Sequence, residues 1–393
     1  MRVLVPSLVS TASVGGVATY LANLESGLRT SGIDCEIADR LTPDLEPSPI
    51  RFLWEFALAR REYFTTRAWA LYRTIEDRIQ HVDLVHTQDA FVSLVVRRMF
   101  PKTVVVETVH GTNYEHALEV ITSSRRPSDH FKTVLGYHRL RLGRLMRFET
   151  AGLKAADEVI AVDSHQAESV RAHGVQPDRV SVIHNAVDVG ELGRLAQNVP
   201  QYACDTPCFV VVRRLWPKNG VVFAVRAFLE WVGTRNVKLL IAGTGPQLDE
   251  IQEICASSAR GAKIHLLGDV PSGEVPSLMS RALATLVPSV PIGGVVEATS
   301  FSALESLAVG VPVIASNLGG LAEIDGGTGV IDLVEPGSVP ALVSALDRVW
   351  SCREKLKGTS AARKMHVLER FDLAGWTEKV VAVYDKALHR CAA

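Results

Sequence analysis

The chain has almost no net charge: 42 lysines and arginines stand against 43 aspartates and glutamates in 393 residues. No global field then draws it to nucleic acid or to an anionic membrane, so any such attraction must be local and no nucleic-acid partner is expected. Long apolar runs are missing too. Nowhere do about 18 apolar residues follow one another, the length a membrane-crossing helix needs. The apolar N-terminal stretch is cut by Pro6, Ser7, Ser10 and Thr11 before it reads as a secretion signal. Cysteine is sparse: six residues, at 35, 204, 208, 255, 352 and 391, form no C-x-x-C pair, and Cys204 and Cys208 have no histidine beside them. That excludes a disulfide framework or a cysteine-built metal site and fits reduced thiols in a cytosol. A G-x-G-x-x-G fingerprint is absent, since Gly243-Thr244-Gly245-Pro246 does not complete one, which argues against a dinucleotide dehydrogenase.

What is present is a globular composition, 47% hydrophobic and 22% charged, long enough for two or three domains. Short β-branched runs alternate with longer helical patterns: Arg2 to Pro6, Leu84 to His86, Thr103 to His110, Glu158 to Val162 and Val180 to His184. After a turn-rich stretch the series restarts with Cys208 to Val212, Val237 to Gly243, Lys263 to Gly268, Ala284 to Pro288 and Pro312 to Ser316. That alternation predicts parallel βαβ units, hence an α/β protein of two doubly wound domains. The boundary is expected between Asp188 and Pro207, giving domains at 1–190 and 191–372 with ligand in a cleft between them.

Two segments of the first half depart from the average. Seven of the 25 aromatics fall between Phe52 and Tyr72, among Arg51, Arg60, Arg61 and Arg67. From Ile121 to Thr150, seven basic residues (Arg125, Arg126, Lys132, Arg139, Arg141, Arg144 and Arg147) face only Asp129 and Glu149. The ordinary reading is core aromatics and a solvated helix face; a basic amphipathic helix can also rest on anionic lipid.

Four places could carry chemistry. Pro6 to Thr19 follows the first strand with Gly15-Gly16 at its turn, where main-chain amides and a helix N-terminus can approach an anion. Val210 to Phe228 sets Arg213, Arg214 and Lys218 in a proline-containing turn after a strand, a cluster that suits a diphosphate or an ordinary surface turn. His110 ends a strand and precedes Gly111, at the sheet lip, unless it is a hydrogen-bonded core histidine. Finally, Pro288 to Glu323 carries Glu297 and Glu305, eight apart, with small residues between and a helix pattern starting near Ser302. Two such carboxylates can accept hydrogen bonds from sugar hydroxyls while the amides of Thr299 to Ala303 face a phosphate. On spacing alone, solvated glutamates with Ser300 as helix N-cap are the better account.

Taken together these segments resemble a retaining glycosyltransferase of the GT-B fold, family 4 (glycosyl transferases group 1), over almost the whole chain. Gly15-Gly16-Val17, the His-Gly of TVHGTNYEH, VIHNAVD, RRLWPKNG, IAGTGP, LLGDVPSGEV and the E-x7-E segment followed by GVPVIASNLGG stand in family order. The resemblance implies two Rossmann-like domains, N-terminal for the acceptor and C-terminal for the nucleotide sugar. It also implies a last helix, 373–393, that crosses back to the first domain.

By the same resemblance Glu297 binds donor-sugar hydroxyls, Glu305 holds the ribose, and the backbone of Phe301 and Ser302 lies over the diphosphate. Arg214 and Lys218 contact that diphosphate, Gly16 lies near the distal phosphate or acceptor, His110 meets the sugar near its reacting carbon, and Val270 reads the base. His110, Glu297 and Arg214 are the expected catalytic residues. The family turn usually reads Gly-Arg-Leu, three residues, then Lys-Gly; here Arg213 replaces the glycine, Asn219 the lysine, and Lys218 comes one residue early. Arg213 is then free to point to the sheet edge or to solvent.

The implied reaction moves a hexose from a nucleoside diphosphate sugar, by default UDP-linked, to a hydroxyl of a small molecule, glycan or lipid-linked acceptor, with retention. No metal or further cofactor is expected. No two aspartates are two apart, so the D-x-D signature of metal-dependent transferases of the other common fold is absent. A nucleotide-sugar 2-epimerase or a non-catalytic partner protein shares the fold; a membrane-lipid glycosyltransferase is a subclass that would use the basic and aromatic segments.

Overall fold

The computed structural model describes residues 1–11, 15–38, 75–111, 137–198 and 206–392. The aromatic segment 52–72 lies outside the described residues, as do Cys204 and the basic residues Arg125, Arg126 and Lys132. The chain divides into two compact units, Met1–His184 with Trp376–Ala393, and Asn185–Gly375.

The first unit is built on β1 (Arg2–Pro6), β2 (Asp34–Ala38), β3 (Leu84–Thr87), β4 (Val104–Val109), β5 (Glu158–Ala161) and β6 (Val180–Val182). Their order is β2-β1-β3-β4-β5-β6, every pair parallel. The second holds β7 (Cys208–Val212), β8 (Lys238–Ala242), β9 (Ile264–Gly268), β10 (Ala284–Val287), β11 (Val313–Ser316) and β12 (Ile331–Val334). Their order is β12-β11-β10-β7-β8-β9, again all parallel.

The inner strands read as near-continuous apolar runs because helices cover both faces of a parallel sheet. VVVETV of β4 is buried at all six positions. Its Glu107 is the exception in chemistry, and burial holds that carboxyl well above the usual carboxylate range. The two strands that the apolar pattern misses, DCEIA of β2 and IDLV of β12, are sheet edges with half-exposed positions.

Each unit has its own core. In the second, the helix Val221–Val232 presents Val221, Val225, Phe228 and Val232 to β7 and to the helix Val339–Gly358. Phe209 and Trp231 meet edge to face at 5.6 Å, and Trp231 keeps its indole N–H satisfied on Asp347 at 3.0 Å. Side chains of that size each contribute roughly 1.5–3 kcal/mol by burial.

In the first unit the core includes the chain's last helix, Leu373–Ala392. Trp376, Val380, Val383, Tyr384 and Ala387 form one buried stripe at helical spacing. Gly27 lets this helix come close, because a Cβ there would collide with the Thr377 hydroxyl. Lys386 and Arg390 pair with the buried Glu158 at 2.7 and 3.0 Å. Among the described residues no helix is long and apolar enough to cross a membrane. Arg144 and Arg147 are exposed on the helix Tyr137–Ala155, as a solvated face requires.

Candidate active site

In a doubly wound sheet the strand order reverses at one point, where the loops after two neighbouring strands diverge and leave room for a ligand. In the second unit that point lies between β7 and β10. The two loops there are Arg213–Gly220, with Arg213, Arg214 and Lys218, and the stretch from Pro288 to Ser300, with Glu297; the helix Phe301–Ala308 that follows carries Phe301, Ser302 and Glu305.

The glycines of IAGTGP and SNLGG explain how these loops are held. Gly243 has φ 135°, and any Cβ on it would collide with the carbonyl of Arg213, so the strand end can close on its neighbour only with glycine here. Gly320 donates its N–H to the carbonyl of Glu297 at 3.1 Å, and a Cβ on it would strike the Thr299 nitrogen. From VIHNAVD, buried Asn185 donates Nδ2 to the carbonyl of Thr299 at 2.9 Å. The backbone around Glu297 is therefore clamped from two sides, and Asn185 is a positioning residue that motif order signalled without revealing its task.

Arg213 corrects the sequence expectation. Its side chain turns neither to the sheet edge nor to solvent: it is only 7% exposed and pairs with Glu297, itself 13% exposed, at 2.7 Å. The same guanidinium donates to Asn219 Oδ1 at 2.9 Å and to Ser300 Oγ at 3.1 Å. Asn219, buried, donates in turn to the carbonyl of Arg214 at 2.7 Å. Ser300 stands at the N-cap position of the helix Phe301–Ala308 but makes no side-chain capping bond. Its hydroxyl serves Arg213, so the first-turn amides of that helix have no side-chain cap.

Arg214 is exposed, and no group among the described residues pairs its guanidinium. Lys218 sits in the turn Pro217–Asn219, its carbonyl accepting from Val290 at 2.8 Å. Ser302 places its hydroxyl on the carbonyl of Val212 at 2.6 Å, pinning the helix start to the end of β7. Phe301, half-buried, packs on the core beneath. Val270 follows β9 and is partly buried against the apolar cluster that includes Leu240 and Ala242.

Glu305 lies eight residues beyond Glu297, on the same helix as Ser302. Burial pushes its carboxyl up to about 7, and no cation or hydrogen-bond donor among the described residues pairs with it. A carboxylate kept near neutrality and short of hydrogen bonds is suited to hydroxyl donors arriving with a ligand.

In the first unit the corresponding point of reversal lies between β1 and β3. Gly16 opens the helix Gly16–Thr30 after Gly15, whose φ is 147°. His110, just past β4, bonds through Nε2 to Gln88 Oε1 at 2.8 Å and packs edge to face on Tyr20 at 4.5 Å. Burial pushes its pKa down to about 4, so the ring is neutral at pH 7. Because the amide oxygen of Gln88 only accepts, this contact puts the proton on Nε2 and leaves Nδ1 as an acceptor. Gln88 carried no signal in the sequence.

His86 is fully buried between Tyr384, at 2.6 Å from Nδ1, and Thr108, at 2.7 Å from Nε2. Thr108 also bonds the Tyr20 hydroxyl at 2.8 Å. Burial, with the neighbouring His110, lowers the pKa of His86 to about 3. It belongs to the framework that ties the last helix to β3 and β4. No group of His, Cys, Asp and Glu with metal-holding geometry occurs among the described residues.

Two family models match the chain: Glycosyltransferase Family 4 over residues 14–191, and Glycosyl transferases group 1 over 206–352. An uncharacterised glycosyltransferase of Methanocaldococcus jannaschii is 23% identical over 95% of both chains. Among solved structures, the sucrose-phosphate synthase of Thermosynechococcus elongatus superposes with a TM-score of 0.74 over 99% of both chains at 19% identity. The Anabaena protein HepE in complex with UDP-glucose gives 0.70 at 16% identity, covering 98% of this chain and 100% of that one. The two doubly wound units have the GT-B architecture, and the chain belongs to the family 4 glycosyltransferases.

Proposed function

We propose that this glycosyltransferase moves a hexose from a nucleoside diphosphate sugar, UDP-linked by preference, to an acceptor hydroxyl with retention of anomeric configuration and without a metal ion. The observation that carries this reading is the constellation at the β7/β10 reversal. There Arg213, Arg214, Glu297 and the uncapped start of the helix Phe301–Ala308 converge, with Glu305 further along that helix. HepE binds UDP-glucose with the same fold, and an α-(1→4)-mannosyltransferase of Mycolicibacterium hassiacum, 22% identical over the full length of both chains, acts on a sugar.

In this reading each group has one task. Arg214 and Lys218 meet the diphosphate together with the amides of Phe301 and Ser302, receiving the charge that grows on the leaving group. Preorganised donors of this kind need no metal to stabilise a departing phosphate. Glu297 accepts from hydroxyls of the sugar and orients it, Glu305 accepts from the ribose, and Val270 meets the base through its backbone. Gly16 and neutral His110 are the residues of the first unit that the family resemblance assigns to the reaction, His110 with an acceptor nitrogen for the sugar. The acceptor proton passes to the leaving phosphate on the face that the new bond occupies.

A thermal-shift screen with UDP, GDP, ADP and TDP sugars tests the reading, since a ligand at 100 times its dissociation constant stabilises by about 2.7 kcal/mol. One of these nucleotides should raise the melting temperature, and nucleotide release in the presence of acceptor should survive EDTA. Loss of turnover in EDTA overturns the metal-free assignment. Product formed from donor alone, without acceptor, identifies an epimerase instead.

A further inference from the structure

Arg213 has no role in the reading above, yet it is the best-anchored cation of the site. Its backbone N–H is fixed on the carbonyl of Ala242 at 2.9 Å. Its guanidinium is held by Glu297, Asn219 and Ser300. These contacts use three of the five N–H protons that a guanidinium carries, which leaves two for a ligand. Glu297 spends Oε1 on Arg213, and its other oxygen has no protein partner among the described residues. The pair therefore offers donors on one side and an acceptor on the other, the pattern needed where a phosphate adjoins a hydroxyl-bearing ring.

Position 219 points to the same ligand. The turn has lost a cation there and gained one at 213, and the two side chains touch: Arg213 Nη2 lies 2.9 Å from Asn219 Oδ1. The guanidinium thus delivers its charge to the spot where a longer basic side chain at 219 would start, and Asn219 serves as its acceptor. The uncapped amides of the helix Phe301–Ala308 adjoin the same place through Ser300. A buried ion pair of this kind is costly unless its remaining valences are used, and a bound phosphate uses them.

We propose that Arg213 is a donor-phosphate ligand of this enzyme, supplying from the end of β7 the positive charge that position 219 lacks and bridging the phosphate to Glu297. The proposal rests on the reading of the β7/β10 reversal as a nucleoside diphosphate site. Its novelty is the exchange of one cation position for another within that site.

The test is calorimetric binding of UDP and of uridine to the wild type, Arg213→Gln, Arg213→Gly and the double variant Arg213→Gly/Asn219→Lys, each checked for an unchanged circular dichroism spectrum. A lost charge-assisted bond should weaken UDP by about tenfold or more while uridine affinity stays the same. The double variant should recover most of that loss, a rescue that a merely structural arginine would not show. Arg213→Gln keeps donors without charge, so it decides the matter if the glycine variant does not fold. UDP affinity unchanged in Arg213→Gln overturns the proposal, as does an equal loss for UDP and uridine or a double variant no better than Arg213→Gly. A wild type that binds UDP normally while these results fail leaves the site standing without Arg213; a wild type that binds neither UDP, GDP nor ADP removes the site and the proposal together.

Discussion

The two units share one topology and differ in how they equip the point where strand order reverses. In the second unit the equipment is charged: Arg213, Arg214, Glu297 and Glu305 stand within two loops and one short helix. In the first it is neutral: His110 and His86 are both held uncharged by burial, and they are linked through Tyr20, Thr108 and Gln88 instead of through ions. The same scaffold thus carries charged groups at one reversal and, among the described residues, uncharged ones at the other, because the loops and not the sheet set the difference.

The largest effects should come from the charged unit. Glu297→Ala removes the carboxylate and strands Arg213, so nucleotide release with acceptor should fall by about 10²-fold. Arg214→Ala should cost at least about tenfold through the lost diphosphate contact. Arg214→Ala should keep the wild-type melting temperature within a few degrees, since Arg214 is exposed, whereas Glu297→Ala should also melt lower, because it leaves the buried Arg213 guanidinium without its carboxylate. Wild-type turnover in both would break the comparison at its stronger end.

His110→Ala sharpens the contrast from the other side. Transfer should drop by about tenfold with little change in UDP affinity, because a group that orients the sugar acts on the reaction more than on nucleotide binding. An equal loss in both would move His110 to the nucleotide. Its ring should also show no titration by NMR between pH 8 and pH 5, since burial holds its pKa near 4.

Glu305 gives the charged unit a pH signature. Its folded pKa of about 7 lies above the ordinary 4.5, so its contribution to stability is present in acid and lost as pH rises through 7. Glu305→Gln should therefore melt above the wild type at pH 8, by roughly 2–4 °C for each kcal/mol recovered, with the gap closing towards pH 5. Binding runs the other way: ribose hydroxyls favour the carboxylate, so UDP affinity of the wild type should weaken as pH falls below 7, and that dependence should vanish in the glutamine variant. The smallest effect belongs to the framework. Tyr384→Phe removes the hydroxyl that bonds His86 and should cost about 1–3 kcal/mol of stability without altering turnover.

Much of this was legible in the sequence, for physical reasons that also mark where reading stopped. The inner strands announced themselves because both faces are buried and their residues are apolar and β-branched; Asp34–Ala38 and Ile331–Val334 did not, being short edge strands whose apolar runs are broken by Asp34, Glu36 and Asp332, although the edge strands Val180–Val182 and Ile264–Gly268 were still readable. The Gly-Thr-Gly and Leu-Gly-Gly motifs were visible, but only the structure shows which backbone each one admits. Side-chain direction was the main thing hidden: Arg213 and Arg214 are adjacent, yet one is buried against Glu297 and the other is exposed. Partners far apart in the chain, such as Gln88 with His110 or Asn185 with Thr299, leave no periodic trace to read.

The central claim is that the β7/β10 reversal grips a nucleoside diphosphate, and calorimetric titration of UDP into the wild type and into Glu305→Ala addresses it directly. Saturable one-to-one binding by the wild type, weakened by about tenfold or more in the variant, is the expected result. Binding of equal strength to both proteins would place the nucleotide elsewhere and contradict the account.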